Sequence, residues 1–280
     1  MIRLFDTHAH LGMTEAYSAG HISSDCHAFN QFPEQVSFDK DFGNFCDFQL
    51  AGIVNAGTSL ASSLQSVDFA SNNNVLYAAV GIHPNHKDDL SDIFFDQIVE
   101  LSQNQHVSAI GETGLDRYRD VVPWPLQLHY FERHLELAKT RNLPVLIHSR
   151  DCDDDMLAVL GNRAKLSPIF GLIHSFSSNS SVAEKYLDMG LYISFSGAVT
   201  YTNKKFAALR EAAKMVPEDR LLIETDSPFL TPHPYRGKLN DNLPIMTAYV
   251  AKTLAELRGT TLEHIAAVTT ANAERIFGKK

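Results

Sequence analysis

Val145-Leu146-Ile147-His148-Ser149-Arg150 decides how this 280-residue chain folds. Three apolar residues stand in a row, without the polar alternation of a sheet that keeps one face wet. Such a run suits a strand covered on both faces, as in a parallel sheet flanked by helices. It then breaks off at an imidazole and a guanidinium. Working outward, runs of the same kind recur at Arg3–Asp6, Gly52–Ala56, Val75–Val80, Val107–Gly111, Ile169–His174, Leu191–Phe195 and Leu221–Glu224. With Val145–His148 they make eight predicted strands. Amphipathic stretches lie between them, the clearest from Trp124 to Arg141 with Leu128, Phe131, Leu135 and Ala138 on one stripe. A second runs from Asn242 to Leu257. The last opens with a capping box, Thr260 and Glu263, and sets Leu262, Ile265, Thr269, Ala273 and Ile276 along one face. Eight strand–helix repeats favour an α/β fold of the closed (β/α)8 TIM-barrel type over an open doubly wound sheet, in one domain spanning residues 1–280.

Composition narrows the functional classes. With 24 Lys+Arg against 33 Asp+Glu the net charge is −9, and 44% of residues are hydrophobic. That is globular composition, far from intrinsic disorder. No apolar run approaches the ~18 residues of a membrane span, and Asp6 interrupts the start too early for a secretory leader. Three cysteines, Cys26, Cys46 and Cys152, cannot close a disulfide framework. The expectation is a cytoplasmic protein with neither membrane nor obligate protein partner. An acidic total also argues against a broad basic surface for nucleic acid. One stretch breaks the rhythm: Gly12–Phe38 is far longer than a usual βα connection. It reads either as a surface excursion with its own aromatic cluster or as a lid over the barrel mouth.

Thirteen histidines against one tryptophan are the compositional oddity. His8 and His10 stand two apart at the end of the first predicted strand, so both imidazoles point to one side. Glu112 ends the fourth strand, His148 the fifth and His174 the sixth, and Asp226 follows the eighth. A barrel gathers these strand ends around one mouth, where barrel enzymes hold their active sites. Four imidazoles and two carboxylates suit borderline divalent ions, Zn or Mn, with Mg less comfortable. Six ligands exceed the needs of one tetrahedral ion with an open position. Two ions sharing Glu112 are therefore expected, with His8, His10 and Asp226 at one and His148 and His174 at the other. Ions ~3.5–4 Å apart would activate a water between them for hydrolysis.

These residues lie in motifs that resemble one family. Asp6-Thr-His-Ala-His-Leu11, Val80-Gly-Ile-His-Pro84, Gly111-Glu-Thr-Gly-Leu-Asp116, Ile147-His-Ser-Arg-Asp151, Ile173-His-Ser-Phe176, Glu224-Thr-Asp-Ser-Pro228 and Arg236-Gly-Lys238 run in the order of the TatD-type metal-dependent deoxyribonucleases, a branch of the amidohydrolase-like barrels. The resemblance implies a barrel with a two-metal site at His8, His10, Glu112, His148, His174 and Asp226. It also implies hydrolysis of DNA phosphodiesters, commonly from a 3′ end, with DNA ends or short single strands as substrate. Three departures bear on substrate preference: Ser175 where the family usually has cysteine, the extra residues Leu239–Leu243, and the Gly12–Phe38 segment.

Around the metals, Asp226 is the candidate general base. Glu224 either orients Asp226, shares in proton transfer or is a salt-bridged barrel residue. Arg150 matches phosphate geometry, the alternative being an ion pair with Asp116 or Asp151. His83 faces the mouth, to bond a phosphate or leaving oxygen or to orient Glu112. Arg236 and Lys238 form the clearest basic spot on a late loop. Tyr118, Phe176, Phe229 and Tyr235 either stack a terminal base or pack the rim, while His86, His106, His129, His134, His233 and His264 read as structural or solvent-facing. The rival enzyme reading keeps the metals but moves the scissile bond to an ester, amide or lactone, as in a deacylase. A non-catalytic barrel would require a lost ligand, and none is lost.

Overall fold

The computed structural model describes residues 1–13, 47–119, 121–239 and 241–278. Eight parallel strands follow one another around a single sheet: β1 (Ile2–Ala9), β2 (Phe48–Ala56), β3 (Leu76–Val80), β4 (Val107–Asp116), β5 (Val145–Arg150), β6 (Gly171–Ile173), β7 (Tyr192–Phe195) and β8 (Leu221–Ile223). β1 meets the segment that follows β8 through a parallel bridge between Ala9 and Ser227, reinforced by Asp226 N–H donating to His8 O at 2.9 Å. The ring is thereby closed at its upper edge, as expected for a (β/α)8 barrel. The described helices are α1 (Leu60–Asn72), α2 (Asp92–Leu101), α3 (Trp124–Arg141), α4 (Asp153–Leu166), α5 (Ser180–Asp188), α6 (Ala207–Met215), α7 (Thr247–Arg258) and α8 (Leu262–Phe277).

The unbroken apolar runs have a direct cause. Val145 and Ile147 of β5 pack outward under the helices, whereas Leu146 between them joins a separate cluster inside the barrel. Every strand contributes to that inner cluster, through Phe5, Val54, Ala79, Ala109, Leu146, Leu172, Tyr192 and Leu222. Ala273, Ile276 and Phe277 of α8 complete it, the Phe277 ring lying 6.0 Å from that of Phe5. The middle of each strand is therefore dry on both faces, and strand parity selects which core a residue enters.

Several boundaries differ from the expectations. The third and sixth strands are shorter than predicted, and the fourth extends to Asp116. α7 starts at Thr247, not near Asn242, after a short 3-10 turn at Pro244–Met246. Asn242 itself is buried, its amide donating to the carbonyls of Thr225 and Phe229. The cap of α8 is Thr261, whose hydroxyl accepts from His264 N–H, in place of Thr260. Most of the Gly12–Phe38 segment, including His21, Cys26 and His27, lies outside the described residues. No helix among the described residues is long and apolar enough to cross a membrane.

Candidate metal centre

The register of β1 slips between Asp6 and Ala9, where three steps on β1 pass two on β2. A bulge of this kind re-aims side chains, and here His8 and His10 both reach the mouth, their Nε2 atoms 3.2 Å apart. Beside them Asp6 is buried and accepts hydrogen bonds from His8 N–H and from the backbone and hydroxyl of Thr225. Those bonds tie the two strands of the closing edge together. Burial pushes the Asp6 carboxyl well above its ordinary range, against the pull of these donors.

Glu112 occupies the centre. The residue before it must be glycine, since Gly111 has φ +135° and a Cβ there would stand 2.7 Å from Leu146 O. Its Oε2 lies 3.3 Å from His8 Nε2 and 3.4 Å from His10 Nε2. Its Oε1 faces the other way, 2.9 Å from His148 Nδ1 and 3.0 Å from His174 Nε2. Asp226 adds a second carboxylate to the first set, 3.4 Å from His10 Nε2 and 3.9 Å from His8 Nε2. Burial alone would raise the Glu112 carboxyl, but the surrounding imidazoles, His174 and His83 foremost, hold it well below the usual range. Asp226 is likewise lowered despite its burial, chiefly by its bond to His10. Its φ of +59° is a left-handed conformation that aspartate tolerates better than most residues.

The donor set fits divalent metal. Ligand atoms ~2.0–2.1 Å from a tetrahedral ion stand ~3.3 Å from one another, and most of the separations above are close to that. The far ring nitrogens are held as they are in metal-binding histidines, whose second nitrogen is usually bonded to a protein oxygen. His10 Nδ1–H donates to Ala56 O, His148 Nε2–H to Asp116 Oδ2 and His174 Nδ1–H to Glu224 Oε1. In the neutral ring each bond leaves the inward nitrogen's lone pair available to a metal. His8 Nδ1 has no hydrogen-bond partner among the described residues, and its ring stacks on His174 at 4.0 Å.

A cavity of about 400 Å3 opens above these atoms. His83 and Arg150 line it. Asn85 N–H donates to His83 Nδ1, so the ring proton sits on Nε2, 3.3 Å from Glu112 Oε1. Burial lowers His83 to about 4, so it is a neutral donor at physiological pH. Arg150 lies over the Tyr118 ring at 4.9 Å and 3.8 Å from Asp151. Arg236 and Lys238 are outside the cavity lining, Arg236 instead resting on the Tyr201 ring at 4.0 Å. Glu224 lies behind His174 and bonds that ring and Ser175 N–H. It therefore orients the sixth-strand imidazole and not Asp226. Of the aromatic candidates, Phe176 and Tyr235 are 3% and 8% exposed and belong to the core.

Sequence reasoning presents Asp116 only as an ion-pair partner for Arg150, whereas the structure gives it a place in the cluster. Besides His148 it receives Asn85 Nδ2 and the backbone N–H groups of Tyr118 and Arg119. A signal for it exists: Glu112, Gly114 and Asp116 alternate along β4 on one side. His86, expected to be structural or solvent-facing, lines the cavity.

A protein-family model described as TatD related DNase matches residues 5–278. The chain belongs to the TatD family. Among its relatives, the metal-dependent hydrolase YabD of Bacillus subtilis is 38% identical over 98% of both chains. YcfH of Escherichia coli K12, also a metal-dependent hydrolase, is 40% identical over 79% of this chain and 80% of its own. The crystal structure of YjjV, a TatD homologue from Escherichia coli K12, superposes with a TM-score of 0.83 at 26% identity, covering 98% of this chain and 97% of that one. This TatD protein is accordingly a metal-dependent hydrolase with a TIM-barrel fold.

Proposed function

We propose that the protein is a two-metal phosphodiesterase that cleaves DNA from an end or along a short single strand, most simply as a 3′-exonuclease. The observation that carries this reading is the double address of Glu112, whose two oxygens meet two separate pairs of imidazoles. His8, His10, Glu112 and Asp226 would hold one divalent ion, and Glu112, His148 and His174 the other. Such a pair supplies Lewis acidity and a lowered pKa for water at the mouth.

The remaining work falls to side chains. Asp226, kept ionised beside His10, takes up a proton from attacking water at its carboxylate. His83 donates to Glu112 Oε1 and fixes its orientation without adding charge. Glu224 and Asp116 do the same for the rings of His174 and His148. Arg150 stands at the cavity edge, where its planar fork suits a phosphate. Arg236 and Lys238, farther out, would meet neighbouring phosphates of the strand.

The test is a metal count by mass spectrometry on reconstituted protein, followed by digestion of labelled single-stranded DNA beside a panel of esters, amides and lactones. Two ions per chain and stepwise release of mononucleotides are expected. Turnover of a carbonyl substrate with no DNA product under Zn, Mn or Mg would replace the nuclease reading by the hydrolysis of an ester or amide.

A further inference from the structure

We propose that Tyr118 and Phe229 are base-stacking residues that select an unpaired nucleic-acid strand by holding the bases on either side of the bond to be cut. Both line the cavity above Glu112, and both expose large apolar surface there, 65% for Tyr118 and 49% for Phe229. Tyr118 follows β4 and Phe229 follows β8. In a ring of eight strands in sequence order, those positions are four strands apart, on opposite sides of the mouth.

Each ring is tethered to the cluster it flanks. Tyr118 N–H donates to Asp116 Oδ1 at 2.7 Å, and Asp116 in turn holds His148. Phe229 N–H donates to Asp226 O at 2.8 Å, its carbonyl accepts from the Asn242 amide, and its ring lies 6.1 Å from that of His10. Arg150 covers Tyr118 at 4.9 Å, extending the platform with a delocalised cation. Flat apolar faces fixed beside a polar, anion-attracting cluster match a ligand that alternates phosphate with flat apolar rings. Nucleobases meet that description, and any base stacks acceptably on such a face. A base lying on Tyr118 or Phe229 has left its own stack and its pairing partner, so the selected strand is single.

The inference rests on the phosphodiesterase reading, and the experiment separates the two. The metal-loaded enzyme is given a thymidine trinucleotide and its counterparts carrying an abasic tetrahydrofuran residue at either end. Tyr118→Ala and Phe229→Ala should each raise KM for the complete trinucleotide roughly ten- to hundredfold. The penalty should shrink at least fivefold when the corresponding base is missing, and Tyr118→Phe and Phe229→Trp should restore wild-type KM. Equal losses on complete and base-free substrates, or no loss on either, would overturn the assignment. If wild type cleaves none of them, quenching of a 2-aminopurine trinucleotide decides the matter. Quenching abolished by the alanine variants upholds the platform and rejects the nuclease reading; absence of quenching rejects the platform.

Discussion

The two ends of the barrel bury their side chains on opposite principles. At the lower end Phe5, Ile276 and Phe277 close the interior with hydrocarbon. At the upper end the same strands and the turns after them deliver four imidazoles and two carboxylates, the imidazoles oriented by a second hydrogen bond or by a bulge. The lower end gains stability from burial. The upper end holds charged groups close together in low dielectric, an arrangement that serves function at a cost in stability.

Substitutions that treat the two ends differently sharpen this contrast. The largest effect on turnover is expected for Asp226→Asn, which keeps a residue type tolerant of φ +59° while removing the proposed base. Its kcat should fall by roughly 10²–10⁴ with an unchanged melting temperature. Near-normal kcat would remove Asp226 from proton transfer, and unfolding would merge the two ends into one cooperative support. The converse is Phe277→Ala, expected to lower stability by about 3–5 kcal/mol in urea melts while the folded fraction keeps its kcat. A large change in kcat there would show that the lower end shapes the site.

His134 probes the junction between the ends. It is fully buried on α3, donates from Nδ1 to Tyr130 O and accepts Ile82 N–H at Nε2, next to His83. Burial lowers its pKa to about 4, against 6.5 in the unfolded chain. The unfolded state therefore takes up a proton first as the pH falls. Stability contributed by the neutral ring is complete above pH 6.5 and drains away towards pH 4, by roughly 3 kcal/mol. Urea melts of wild type and His134→Gln across that window should show a smaller acid loss in the variant; parallel curves would reject the attribution.

Smaller effects test the supports of the cluster. Asp116→Asn should weaken metal affinity or activity about 10- to 100-fold, because His148 loses the acceptor that fixes its tautomer. Titration with a chelator reads the affinity directly. Arg236→Ala and Lys238→Ala should each change KM only a few-fold and reduce the salt slope of binding by about 1. An unchanged slope would take that basic spot off the strand's path.

Strand parity made much of this legible in the sequence. Val145, Leu146 and Ile147 announced a doubly covered strand, and the titratable residues at five strand ends announced one mouth. Legibility failed where the chain leaves a strand, because periodicity no longer governs direction. Glu224 lies just past β8 and turns to His174, although its spacing from Asp226 suggested a shared face. Phe176 and Tyr235 were indistinguishable from Phe229 by neighbourhood, and only packing separates core from rim. The Asp116–His148 bond joins residues on different strands, so the alternation along β4 gives the face of Asp116 but not its partner.

The bridge between Ala9 and Ser227 has a consequence for the order of events during synthesis. His8 leaves the ribosome early and Asp226 more than two hundred residues later, and contacts of such long range form late. A nascent chain stopped before β8 lacks the carboxylate that the closing seam delivers. The seam that shuts the barrel is thus also what sets Asp226 beside His8 and His10.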